Sequence, residues 1–105
     1  MKTYFFVAAS EKFLTVEEPL EEILKERVRN YKENNNEIDF WLLKNPSFLK
    51  ATQFVDLKAK IPAPPAVVIS TDKKFITFLK LRLEFVAVGE FECPSAEITD
   101  PFKVD

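Results

Sequence analysis

Three charged side chains stand where the surrounding pattern calls for apolar ones. Asp39 is the one charge among Ile38, Phe40, Trp41, Leu42 and Leu43. On a wheel at about 100° per residue with Phe75 at about 0°, Arg82 falls near 340°, between Phe78 and Phe75. Lys73, Lys80, Thr77 and Glu84 gather on the polar side of that wheel, at about 140–200°. On the first long helical segment, with Leu20 at about 0°, Arg27 also falls near 340°, between Ile23 and Tyr31. A buried charge without a partner is too costly to keep. Either Arg27 or Arg82 snorkels to water or pairs with Asp39, or the charges surface inside an apolar patch. Arginine among aromatics is the composition of a protein-interface hot spot. Two arginines could also hold a carboxylate or phosphate. A lone carboxylate amid apolar side chains could accept a proton, but no second catalytic partner accompanies it.

Composition removes most other chemistry. The 105 residues contain no histidine, one glycine (Gly89) and one cysteine (Cys93), against 11 phenylalanines. Without histidine there is no imidazole base, imidazole metal ligand or histidine-centred triad. One glycine excludes glycine-rich phosphate loops, and one cysteine excludes an internal disulfide or cysteine-cluster zinc site. Cys93, in Phe91-Glu92-Cys93-Pro94, has no adjacent base and reads as inert. Glu17, Glu18, Glu21 and Glu22 could suggest a metal cluster but fit a solvated first helical turn; a diiron carboxylate site would call for Glu-x-x-His pairs. No catalytic residue, metal site or cofactor is therefore expected in this chain. Net charge is −2 with scattered basic residues, which argues against nucleic acid and a polybasic membrane segment. No apolar stretch approaches the roughly 20 residues of a membrane helix. Met1–Ser10 reads as a buried first strand rather than a signal peptide, and a reducing, cytosol-like compartment follows.

The elements that must position these residues can be read from periodicity. A chain of this length is one domain, residues 1–105. Tyr4–Ala9 is a continuous apolar run, as in a central strand covered on both faces. Glu11–Thr15 connects it to a helix that starts around Pro19, runs to about Lys32 and stops at Asn34-Asn35-Asn36. Ile38–Leu43 is the second strand, with Ile38, Phe40 and Leu42 on one face and Asp39, Trp41 and Leu43 on the other. Ser47–Lys60 leans weakly to helix and ends at Pro62, Pro64 and Pro65. Ala66–Ile69 is a third strand. Ser70-Thr71-Asp72 supplies the cap of a helix over about 73–85, Val86–Glu92 a fourth strand, and residues from about 94 an irregular tail. Most phenylalanines follow these elements and are expected in the core, as is Trp41. The order predicts an α+β fold with a four-stranded, antiparallel, ferredoxin-like sheet; a mixed or mostly parallel sheet is the competitor.

Several strings carry a family resemblance. Glu37-Ile38-Asp39-Phe40-Trp41 and Leu79-Lys80-Leu81-Arg82-Leu83-Glu84 lead, supported by Ala8-Ala9-Ser10, Lys12-Phe13-Leu14, Glu18-Pro19-Leu20-Glu21-Glu22, Ser70-Thr71-Asp72, Phe75-Ile76-Thr77 and Gly89-Glu90-Phe91. From about Thr3 to Pro101 the chain resembles a family of small cyanobacterial and plastid proteins, first named as a hypothetical chloroplast reading frame. That family is regarded as the auxiliary subunit of the magnesium-protoporphyrin IX monomethyl ester oxidative cyclase, which closes the fifth ring of the chlorophyll macrocycle. The resemblance implies a role in chlorophyll biosynthesis beside a separate, membrane-associated diiron catalytic subunit. It implies docking through Asp39, Phe40 and Arg82; a patch centred on these three is expected to have Trp41 and Arg27 nearby or beneath. It further implies a cyanobacterial cytoplasm or plastid stroma, with thylakoid association at most peripheral and through the partner. The N-terminus, without a transit peptide, points to a cyanobacterial or plastid-encoded copy. Weak self-association stays open. Two rivals remain: a tetrapyrrole or lipid carrier using an arginine for a propionate, and a small dimeric ferredoxin-like enzyme.

Overall fold

The structure, a computed structural model, describes all residues 1–105. Strand β1 (Lys2–Ser10) leads through a π-helical turn (Phe13–Glu17) into α1 (Leu20–Glu33). Strand β2 (Phe40–Lys44) is followed by two 3-10 turns (Ser47–Lys50 and Thr52–Phe54) and a short α2 (Val55–Ala59). Then come β3 (Pro65–Ser70), α3 (Lys73–Leu83) and β4 (Ala87–Cys93). The sheet order is β2-β3-β1-β4, with every neighbouring pair antiparallel. This is the antiparallel α+β sheet that the element order predicts. The two most apolar strands, β1 and β3, take the centre because only a central strand buries both faces.

Alternation along β1 and β3 divides the core in two. Val7, Ala9, Ala66 and Val68 face α1 and α3, where they meet Leu20, Leu24, Phe75, Ile76, Leu79 and Leu83. Phe6, Ala8, Val67 and Ile69 face the other way, against Phe48, Leu49, Phe54, Phe91 and Ile98. The weakly helical connection between β2 and β3 thus covers the second face of the sheet. The π-helical turn replaces the connector expected over Glu11–Thr15.

The tail from residue 94 is irregular but docked on that second face. Phe102 packs its ring 4.5 Å from that of Trp41 and 5.8 Å from that of Tyr4. Val104 bridges to Pro46. The Asp105 carboxylate accepts from Ser47 Oγ at 2.9 Å and meets Lys50 Nζ at 2.7 Å. Farther back, Glu97 Oε1 accepts from Thr52 Oγ1 at 2.7 Å. The hydrogen bond from Lys50, then that from Ser47, hold the Asp105 carboxyl below its ordinary value of 3.8. A depressed carboxyl stabilises the docked tail above the unfolded value, and this contribution is lost as pH falls through the folded one. Acidification below the usual carboxylate range is therefore expected to loosen the tail and shift Trp41 emission to the red before global unfolding. Asp105→Asn should abolish that early step. An unchanged acid profile in the variant would show that the latch contributes nothing.

The single glycine meets a demand for space. Gly89 sits opposite Phe6 across the β1–β4 pair. A Cβ at Gly89 would lie 2.5 Å from Phe6 Cζ and 2.8 Å from Phe6 Cε1. The Phe6 ring is fixed in turn by Phe48 and Phe54, at centroid distances of 5.0 and 5.2 Å.

Candidate functional site

The site is built from α1, α3 and the start of β2. Asp72 caps α3: its Oδ1 accepts from the Lys74 amide at 3.0 Å, as the Ser70-Thr71-Asp72 string predicts. Its other oxygen, Oδ2, accepts from Arg27 Nη2 at 3.4 Å. The same Arg27 nitrogen donates to the Tyr31 hydroxyl at 2.8 Å, and that hydroxyl donates to Asp39 Oδ1 at 3.0 Å. The Arg27 guanidinium lies 3.8 Å from the Phe75 ring centroid and 5.3 Å from that of Phe40. Burial raises the Tyr31 phenol above its ordinary value, and the hydrogen bond to Asp39 raises it further, against the opposing charge of Arg27. Arg27 therefore reaches Asp39 through Tyr31 and pairs directly with Asp72. One planar cation ties α1, the cap of α3 and the start of β2 together. Its Nε is buried without a partner, a cost that the stacking on Phe75 offsets.

Asp39 differs from its expected placement. Strand β2 begins at Phe40, two residues after the expected start at Ile38. Outside the ladder, Asp39 is free of strict alternation, and its carboxylate turns to Tyr31 on the helix layer. It does not share a face with Trp41, which packs against the tail and the second-face core. Phe40 is 3 % exposed and lies under Tyr31 and Phe75. The five residues singled out from the sequence thus separate. Arg27, Asp39 and Phe40 form one half-buried to buried network, Trp41 lies across the sheet, and Arg82 is exposed on α3 without an ion pair.

Arg82 has apolar company. Phe78 is 52 %, Leu81 73 % and Phe85 81 % exposed. Only the part of the α3 wheel from Phe75 through Leu79 and Leu83 to Ile76 meets the sheet. The part that holds Phe78, Leu81 and Arg82 faces solvent. Helix α3 ends at Leu83, where Glu84 takes a φ of 60°, so the wheel does not extend to Phe85 and Val86. Two residues of this arrangement are not singled out by the sequence. Leu81 was legible as an apolar position near 240° on the same wheel. Tyr31 was legible only as a stripe residue, although its position four after Arg27 places the two side by side. Cys93 is buried, and burial, then the charge of Asp100, pushes its thiol up.

A family model described as the Ycf54 protein matches residues 2–93. The chain belongs to the Ycf54 family. It is 54% identical over 101 residues to a Ycf54-like protein of Synechocystis sp., covering 96% of this chain and 76% of that protein. It is 38% identical over 95 residues to the chloroplastic YCF54 protein of Arabidopsis thaliana, covering 90% of this chain and 44% of that protein. The crystal structure of the All0216 protein from Nostoc sp. PCC 7120 superposes with a TM-score of 0.95 at 55% identity, covering 98% of this chain and 95% of that one. The Synechocystis Ycf54 structure gives a TM-score of 0.94 at 51% identity, over 99% of this chain and 97% of that one. Relatives of this chain are thus found in cyanobacteria and chloroplasts, and the shared fold covers nearly all of it. No helix of the structure is long and apolar enough to cross a membrane.

Proposed function

We propose that this Ycf54-family chain is a non-enzymatic accessory subunit of the magnesium-protoporphyrin IX monomethyl ester oxidative cyclase of chlorophyll biosynthesis, binding its diiron catalytic subunit through α3. The observation that carries the docking reading is an exposed apolar pair on α3, Phe78 and Leu81, with Arg82, which makes no ion pair, beside it. This ridge has the anatomy of an interface core: apolar anchors with an arginine supplying orientation and hydrogen bonds. Asp39, Phe40 and Arg27 act in this account by positioning. They hold α1 and the cap of α3 against β2, and so fix the ridge. The non-enzymatic half is supported by a chain without histidine and with a single, buried thiol. In a cyanobacterial cytoplasm or plastid stroma, the protein reaches the thylakoid through its partner.

The carrier reading lacks a comparable support. The largest grooves, of about 480 and 490 Å³, are both lined without an arginine. The guanidinium of Arg27 is already engaged by Tyr31 and Asp72.

The direct test is a pull-down of the catalytic subunit by wild type and by Arg82→Ala, with circular dichroism to verify folding. Arg82 makes no contact that folding needs, so the variant should fold and capture at least about tenfold less, a loss of about 1.4 kcal/mol. Capture at the wild-type level by the folded variant would remove Arg82 from the interface.

A further inference from the structure

We infer that the element seated along α3 is an amphipathic helix of the partner whose apolar spine is edged by aspartate and glutamate. This rests on the reading above that the ridge is a docking surface, and it specifies the chemistry of what docks there. Helix α3 carries four basic residues, Lys73, Lys74, Lys80 and Arg82, and no acidic one, in a chain of net charge −2. None of the four makes an ion pair. Lys80 and Arg82 in the last turn complement the negative end of the helix dipole. Lys73 and Lys74 in the first turn work against the positive end, so helix stability does not account for them. Lys73 lies over the Phe5 ring at 6.0 Å, and a carboxylate from outside would complement Lys74.

Spacing places the charges around the apolar anchors. Lys74 and Arg82 stand four residues before and after Phe78, in one row along the helix, and Leu81 lies beside that row. The row borders the furrow between α1 and α3, about 340 Å³, whose apolar lining is Ile23, Tyr31, Phe75 and Phe78 and whose α1 rim carries Glu26, paired with Arg29 at 3.5 Å. A helix laid along this furrow would cover Phe78 and Leu81 with its apolar spine and offer its acidic edge to Lys74 and Arg82.

Two other occupants fit less well. A second copy of this chain would set one basic ridge against another. A flat anionic lipid surface would also meet the carboxylates on the same face. Phe91 and Cys93 of β4 point into the second-face core, so Glu90 and Glu92 point to the helix side, where both are exposed, as are Glu21, Glu22 and Glu26 of α1. A narrow helix with its acidic edge on the α3 side contacts Lys74 and Arg82 and stays clear of Glu90, Glu92, Glu21 and Glu22; toward the α1 rim it meets Glu26, which Arg29 pairs.

The test uses the full chain and two stapled helical peptides with the same leucine spine, one edged with glutamate and one with lysine. Vesicles of phosphatidylcholine and phosphatidylglycerol are the third probe. The glutamate-edged peptide should bind at least about tenfold tighter than the lysine-edged one, lose affinity as salt rises and compete with the catalytic subunit. Lys74→Glu/Arg82→Glu should reverse the preference, while the vesicles leave the protein in the supernatant. Equal binding of both peptides, preference for the lysine-edged one, or vesicle binding without peptide binding would each overturn the inference. So would self-association that buries the ridge. Capture of the catalytic subunit without competition by the glutamate-edged peptide would also sink it, while leaving the cyclase reading intact. Peptide binding with the expected preference, but no capture, would uphold the inference and remove the cyclase reading.

Discussion

Replacing Gly89 with alanine is expected to destabilise the fold by about 2–3 kcal/mol, at the upper end for overpacking a core. The methyl would fall 2.5 Å from Phe6 Cζ. That ring is fully buried, with Phe48, Phe54 and Phe91 around it, so it has no free direction in which to move. For a domain of this size the melting temperature should fall by about 10–20 °C. A double-mutant cycle separates steric conflict from a change in backbone freedom. Phe6→Leu alone should destabilise by forming a cavity. In the Gly89→Ala background it should cost less, because the smaller side chain relieves the clash, and the coupling should exceed about 0.5 kcal/mol. Additive effects would mean that the glycine is needed for some other reason.

The second large effect is expected at Arg27. Arg27→Met keeps much of the aliphatic bulk but removes the stack on Phe75, the bond to Tyr31 and the ion pair with Asp72. Cation–π contacts contribute about 0.5–2 kcal/mol and hydrogen bonds to charged groups about 1.5–3 kcal/mol. About 2–3 kcal/mol in total is the expected loss in chemical denaturation, since the residue is partly exposed and the ion pair is weakened by solvent. Arg27→Lys should recover little, because an ammonium cannot stack flat on Phe75 while bonding Tyr31 and Asp72. A loss below about 0.5 kcal/mol in Arg27→Met would show that the network is not what holds the two helices and β2 together.

Much of the fold was legible because the strands differ so clearly in pattern. The unbroken apolar runs of Tyr4–Ala9 and Ala66–Ile69 mark the two central strands, and Asp72 marks the start of α3. The site was legible in part. A wheel identifies apolar and charged arcs but not which arc the sheet covers. Phe75 and Phe78 lie on neighbouring arcs, yet one is 4 % exposed and the other 52 %. The wheel also assumes the helix continues, whereas Glu84 leaves helical geometry and frees Phe85 from it. Alternation gives Asp39 the face of Trp41, but alternation holds only inside a ladder, and the ladder starts at Phe40. The role of Gly89 depends on β1–β4 register, which brings Phe6 opposite it and cannot be read from one strand. The docking of the tail rests on Phe102, Asp105 and Glu97, isolated residues without periodicity whose partners are distant in the chain.

The central claim is that the catalytic subunit covers the outer side of α3. Hydroxyl-radical footprinting of the wild-type chain, free and bound to the catalytic subunit, reads this directly from side chains. Phe78 and Leu81 are exposed on the helix side, and Phe102 and Val104 are exposed on the opposite face. Severalfold protection of Phe78 and Leu81 is expected on binding, with unchanged labelling of Phe102 and Val104. Protection of Phe102 and Val104 with Phe78 and Leu81 still labelled would contradict it, placing the partner on the tail-covered face.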